Sequence, residues 1–290
     1  MKNVLVTGSN GQLGNSIRAQ ADDHTAFNFI FTDVAELDIT DKKAVMDFAE
    51  AAEIDYMVNC AAYTAVDKAE ENEALAQKVN ADAVQVLGEV AQVIGAKVVH
   101  VSTDYVFDGT NSKPYIESDS PCPVSAYGRT KLAGELALFA ACSESVVFRT
   151  AWLYSEYGSN FVKTMLRLGE EKESLSVIFD QVGTPTYAGD LASAIIAVLE
   201  ASEHSIFSPG IYHFSNEGVC SWYDFALKII QLAQLDCSVL PIETKEYPTP
   251  ATRPHFSVLN KHKIKTTYGI TIPHWEKSLI DVVARLKQLK

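Results

Sequence analysis

Five short runs of β-branched and aromatic residues recur through the first half of the chain, each separated from the next by a stretch with helical spacing. No other feature narrows the fold as much. The runs are Val4-Leu5-Val6, Phe29-Ile30-Phe31, Tyr56-Met57-Val58, Val98-Val99-His100-Val101 and Val146-Val147-Phe148. Strands apolar on both sides need cover on both sheet faces, and stretches such as Glu73 to Ile94, with Leu75, Val79, Val86, Leu87 and Val90, supply it. The pattern predicts an α/β fold with a doubly wound parallel sheet.

After Thr150 the alternation loosens. Helical signals at Phe161–Leu168, Leu191–Leu199, Trp222–Leu232 and Trp275–Leu286 are separated by polar, proline-bearing connections, and Ser221 with Asp224 forms a capping-box pattern. The stretch from Pro241 to Pro254 holds four of the ten prolines and reads as an ordered, non-helical loop. A second, smaller mixed α/β lobe is expected here.

With 290 residues and 47% hydrophobic content, the chain can bury a large core without metals or disulfides. Its formal net charge of -13 argues against nucleic acid as a partner. Lys261, Lys263 and Lys265, near an expected surface loop, read as a solvated face. The five cysteines are odd in number, scattered and without CxxC spacing, so reduced thiols are expected. A strand that opens at residue 4 leaves no room for a signal peptide, and no run approaches the roughly 18 apolar residues of a membrane span. A cytoplasmic protein with no membrane association is the expectation.

Directly after the first strand stands Thr7-Gly8-Ser9-Asn10-Gly11-Gln12-Leu13-Gly14, which opens a helical run from Gln12 to about Ala21. Gly8, Gly11 and Gly14 permit a tight turn, let backbone N–H groups approach a pyrophosphate and let the helix sit close on the strand. The next strand ends at Asp33, near the distance expected of an acid that binds adenosine ribose. Together they predict a dinucleotide site. Residues 1–150 then read as an NAD(P)-binding, Rossmann-like domain. Residues 151–290 read as mainly a substrate-binding lobe, with some segments returning to the first domain. Asp33 alone favours NADH, because a carboxylate repels a 2′-phosphate. Asp38-Ile39, before a helix beginning near Asp41, suits either an adenine contact or a plain turn cap.

Tyr127-Gly128-Arg129-Thr130-Lys131 continues helically through Leu132, Glu135, Leu136 and Leu138, which sets Tyr127 and Lys131 one turn apart on one face. An ammonium beside the phenol is expected to lower its pKa from about 10 and fit it for acid–base work. The strand ending in Ser102-Thr103-Asp104 brings Thr103 to the sheet's carboxyl edge, where its hydroxyl can hold a substrate oxygen beside Tyr127.

In this order and spacing, GxxGxxG, a strand-end Ser-Thr-Asp and YxxxK resemble the extended short-chain dehydrogenase/reductase family. Three longer segments, Asn59 to Glu70, Val101 to Gly109 and Tyr247 to Pro254, resemble its members that reduce nucleotide-linked 4-ketosugars, with coverage from about residue 2 to 285. The resemblance implies that Gly11, Gln12, Leu13, Asp33, Asp38, Ile39, Ala61, Ala62 and Thr64 line a nicotinamide cofactor, NADPH or NADH, and that Lys131 also holds its ribose. It implies substrate roles for Thr103, Asp104 and Trp152, although a core tryptophan is an equal reading of Trp152. Arg253, whose guanidinium fork suits two phosphate oxygens, is the candidate for a diphosphate, with Asn160 and Phe161 beside it.

Some relatives dimerise through a metal held by acidic groups; Asn15 stands at one such position, so no metal is expected, and monomer and homodimer both stay open. The implied activity is NAD(P)H-dependent reduction of the C4 ketone of dTDP-4-dehydro-L-rhamnose, with Tyr127 as proton donor. Two alternatives stay beside it: a reductase or epimerase of another nucleotide sugar, and a non-catalytic regulatory subunit of the same fold.

Overall fold

A computed structural model describes residues 1–288 of the chain. Its first part runs β1 (Lys2–Thr7), α1 (Gln12–Arg18), β2 (Phe27–Phe31), α2 (Lys42–Ala51), β3 (Tyr56–Asn59), α3 (Val66–Glu71), α4 (Glu73–Gln77), α5 (Ala83–Ile94), β4 (Lys97–Thr103), α6 (Ala126–Ala141) and β5 (Ser145–Thr150). There follow β6 (Leu153–Tyr154), α7 (Phe161–Glu171), β7 (Ser174–Ile178), β8 (Val182–Gly183), β9 (Thr186–Tyr187), α8 (Ala188–Glu203) and β10 (Gly210–His213). The chain closes with β11 (Cys220–Ser221), α9 (Trp222–Ala233), β12 (Ser238–Ile242), α10 (His262–Tyr268) and α11 (Trp275–Gln288).

The central sheet has the order β10-β5-β4-β3-β1-β2, and every pairing in it is parallel. Each strand points alternate residues to opposite faces. Val4 and Val6 meet Leu13 and Ile17 of α1 and Leu191, Ile195 and Leu199 of α8. Leu5 and Met57 face the other way, onto Val45 of α2, Val84 and Leu87 of α5, and Leu138 of α6. That two-sided burial is why the runs lack alternation in sequence. The chain crosses from β2 back past β1 to β3, so the crevice beyond the carboxyl ends of β1 and β3 is the switch point, where ligands bind in such sheets.

The segments after Thr150 serve two bodies. β10 extends the central sheet and α8 packs on α1. A separate apolar core joins Val162, Met165 and Leu166 of α7, Phe225 and Ile229 of α9, Leu279 and Val282 of α11, and the parallel pair β7 and β12. Ser221 and Asp224 close the capping box that opens α9.

Three local expectations differ from the structure. The stretch from Glu73 to Ile94 is interrupted by a π-helical segment at Lys78–Asp82. There Asn80 leaves the apolar stripe to accept from Tyr63 N and to donate to Tyr63 O and Thr130 Oγ1. The helix from Gln12 stops at Arg18. The three lysines, read as a solvated face, lie in or beside α10: Lys261 and Lys265 pair with Glu217, and Lys263 donates to Ile211 O. Among the described residues no helix is long and apolar enough to cross a membrane.

Candidate active site

The glycine turn is shaped by close approaches. Gly8 has φ +62°, and a Cβ there would lie 2.6 Å from the Ala61 backbone. A Cβ on Gly14 would lie 2.5 Å from Ser9 Cα, so only glycine lets α1 fold back on its own loop. Gly11 begins α1 without a side-chain cap, which leaves first-turn N–H groups for a ligand. Asn15 braces the loop instead, donating to Asn10 O and Gly11 O.

Asp33 ties the end of β2 to this turn: its carboxylate accepts from Asn10 N at 3.0 Å and from Val34 N at 2.8 Å. Asp38 accepts from Thr40 N and Thr40 Oγ1, which hold its carboxyl below the usual range. It caps a turn and still faces the cavity.

A cavity of about 750 Å³ runs along the switch point. Gly8, Gly11, Gln12, Leu13, Asp33, Asp38, Ile39, Ala61, Ala62 and Thr64 line one part of it, and Thr103, Asp104, Tyr127, Lys131, Trp152 and Asn160 the rest. Its volume lies within the range of sites that enclose small organic ligands. Glycine at the turn, acids beyond it and a Tyr–Lys pair opposite fit a nicotinamide dinucleotide. Gly14, Phe161 and Arg253 are outside the wall.

Two local features bring Tyr127 to this wall. Ser125 Oγ caps α6 by accepting from Gly128 N at 3.1 Å. A Cβ at Gly128 would stand 2.2 Å from Tyr105 O, so glycine allows the start of α6 to rest on the turn after β4. Tyr127 packs edge-on against Tyr105, with ring centroids 5.5 Å apart. Thr103 Oγ1 donates to Asp104 Oδ1 and accepts from Tyr105 N. Burial pushes the Asp104 carboxyl up to about 6, against the neighbouring hydroxyls of Ser257 and Thr103.

The electrostatics differ from the simple expectation. Burial pushes the Tyr127 phenol up to about 12; Thr103 opposes this and Asp104 adds to it. Lys131 is 1% exposed, and burial depresses its ammonium to about 8, with Glu135 and Cys60 pulling the other way. Its Nζ donates to Val101 O at 2.7 Å and lies 3.3 Å from His100 Nε2. In this state desolvation, and not a lysine charge, sets the phenol.

Trp152 adopts φ +48° and stacks on Trp222 at 3.6 Å, so one face is packed while the side chain still borders the cavity. Gly183 makes room for the indole, which a Cβ there would meet at 2.8 Å. Gln12 joins cradle to second lobe: its Oε1 accepts from Ser155 Oγ and Asn160 Nδ2 at 3.0 and 2.9 Å. Phe161 packs instead on Trp222 and Phe225. Arg253 is held by Asp67, with Nη2 to Oδ2 at 2.7 Å and Nη1 to Oδ1 at 3.0 Å.

His100, Asn59 and Trp222 stand behind the wall, against Lys131, Ala61 and Trp152, and no sequence motif points to them. The first two stand in or at the end of apolar strands, and a buried polar side chain there is the signal that marks them.

A parallel sheet wound on both faces, a glycine cradle at its switch point and a Tyr–Lys pair across the crevice define an extended short-chain dehydrogenase/reductase. The fold is shared with dTDP-glucose 4,6-dehydratase of Bacillus anthracis, at TM-score 0.82 and 18% identity. The chain belongs to the family described as RmlD substrate binding domain, whose model matches residues 1–288, and thus to the dTDP-4-dehydrorhamnose reductases. The relative of that name from Aggregatibacter actinomycetemcomitans is 41% identical, over 98% of this chain and 99% of its own length. A solved one from Clostridium acetobutylicum superposes with TM-score 0.94 at 43% identity, covering 98% of this chain and 99% of that one. Another, from Bacillus anthracis in complex with NADP, gives 0.93 at 38% identity, covering 98% and 100%.

Proposed function

We propose that the chain reduces the C4 ketone of dTDP-4-dehydro-L-rhamnose to dTDP-L-rhamnose, using NADPH or NADH. The observation that carries this reading is that Thr103, Tyr127 and Lys131 line the same cavity as the glycine cradle. When bound, the reduced nicotinamide supplies a hydride.

The chain's own groups do the rest. N–H groups around Gly8 and Gly11 hold the pyrophosphate, Asp33, Asp38 and Ile39 border the adenosine, and Lys131 reaches a ribose hydroxyl. Tyr127 donates its phenolic proton to the oxygen on C4 as that carbon gains the hydride, and Thr103 holds the oxygen. A phenol pushed up to about 12 stays protonated at neutral pH, as a donor must. Asp104 accepts from a sugar hydroxyl, the indole of Trp152 packs on the deoxysugar, and Asn160 joins them at the mouth. For Arg253 to bind the diphosphate, its bonds to Asp67 must be exchanged for phosphate oxygens.

Tyr127→Phe tests the role of the phenol. Turnover is expected to fall by about 10²-fold or more while folding scarcely changes. Near wild-type oxidation of NAD(P)H with this ketosugar would end the assignment.

A further inference from the structure

A line of buried polar side chains crosses the sheet from the end of β1 to α6. Thr7 Oγ1 donates to Asn59 Oδ1 at 2.7 Å, and Ala61 N donates to the same oxygen at 3.0 Å. Asn59 Nδ2 is 3.0 Å from His100 Nδ1, and His100 Nε2 is 3.3 Å from Lys131 Nζ. Thr7, Asn59, His100 and Lys131 are each at most 1% exposed, so bulk water offers no substitute partner.

The direction of these bonds is dictated from one end. A backbone N–H can only donate, so the Asn59 atom facing Ala61 is the carbonyl oxygen. Its NH₂ group therefore faces His100 and must donate, which makes Nδ1 an acceptor. A neutral imidazole carries its single proton on the other nitrogen, and burial keeps His100 neutral. Nε2–H thus points at Lys131 Nζ. Against an ammonium this is a donor facing a donor. Against a neutral amine it is a sound hydrogen bond, because Nζ then has a lone pair and can still donate to Val101 O.

We propose that Thr7, Asn59 and His100 set the proton state of Lys131: the locked Nε2–H favours the amine, so Lys131 exchanges its proton near neutral pH instead of standing as a fixed cation. His100 is then a positioning residue, acting through Lys131. Burial already depresses the ammonium, and the locked Nε2–H acts on top of it; among the described residues no other group facing Lys131 favours the amine. Cys60, in the loop after β3, is a neutral thiol pushed up to about 12, and the Tyr127 phenol on α6 is neutral too. Asp104, beyond β4, faces Tyr127. Glu135, one turn on, favours the ammonium, and it is already engaged by Arg149 of β5 and Ser102 of β4. Any consequence for turnover rests on the reductase reading; the titration itself does not.

The test is made on the free chain by NMR. In wild type, ¹⁵N-histidine spectra are expected to show His100 protonated at Nε2 and bare at Nδ1, and the reverse tautomer would overturn the proposal. With ¹³Cε-lysine, identified by the signal lost in Lys131→Arg, Lys131 is expected to titrate at or below the value of about 8 to which burial alone brings it. His100→Gln offers the ammonium an amide oxygen at the Nε2 position and should raise that midpoint by about one pH unit or more. His100→Asn keeps a partner for Asn59 but leaves nothing at that position, so its midpoint should lie between the two. If the ring merely excluded water, the smaller asparagine would give the larger rise. That order, or no movement in either variant, would overturn the proposal.

Discussion

Gly128→Ala is a perturbation whose size follows from the coordinates. Its Cβ would stand 2.2 Å from Tyr105 O, whereas ordinary contact begins at 3.4 Å, so the start of α6 must retreat by about 1.2 Å or the turn after β4 must yield. Neither partner is a flexible side-chain tip. Tyr127 is the preceding residue and Thr103 lies just before that turn, so the retreat separates the phenol from the hydroxyl beside it. A misplacement of about 1 Å at a reacting centre costs on the order of 10²-fold in rate, or about 2.7 kcal/mol. Overpacking also costs about 1–3 kcal/mol of stability. The assay is kcat for NAD(P)H oxidation with the ketosugar, alongside cofactor affinity and thermal melting. We expect kcat to fall about 100-fold with cofactor affinity changed far less, because the cradle is untouched. Leu136→Ala, on the exposed face of the same helix at 64% exposure, should change neither. A Gly128→Ala enzyme within about threefold of wild-type kcat would refute the argument that glycine there positions the phenol.

Two further outcomes concern stability. Burial holds the Asp104 carboxyl at about 6 against an ordinary 3.8. A raised carboxyl stabilises the fold when protonated, and that contribution is lost as pH rises from about 4 through 6, a difference of roughly 3 kcal/mol. Asp104→Asn should therefore melt above wild type at pH 7 and lose that advantage below pH 4; equal melting curves at pH 7 would contradict it. Arg149 and Glu135, 2% and 1% exposed at their side chains, form a bidentate pair beneath the site. Arg149→Met leaves the carboxylate buried and unpaired and should cost about 3–5 kcal/mol in denaturant unfolding. A loss below about 1 kcal/mol would show that the pair is not holding β5 to α6.

The parts of this molecule that were legible in the sequence are those fixed by local rules. Two-sided apolar runs meant a covered parallel sheet, and glycines 8, 11 and 14 after the first run meant a tight turn into a helix. The four-residue spacing of Tyr127 and Lys131 put them on one helical face. What stayed hidden depends on partners distant along the chain. Arg253 reads as a free guanidinium until the fold brings Asp67 to it. Lys261 and Lys265 read as solvated until Glu217 approaches. The π-helical segment carries Asn80 to Tyr63 and Thr130, and the phenol's electrostatics come from desolvation at the cavity wall. The proton direction through Asn59 and His100 needs Ala61 N in place, which no periodicity reports.

The central claim, stoichiometric reduction of a 4-ketosugar at one cavity, is tested most directly by turnover. Purified protein with dTDP-4-dehydro-L-rhamnose and either NADPH or NADH should consume one reduced cofactor for each dTDP-L-rhamnose formed, followed by nicotinamide absorbance and product analysis. Conversion of the sugar without net loss of reduced cofactor, or no conversion with either cofactor, would contradict it.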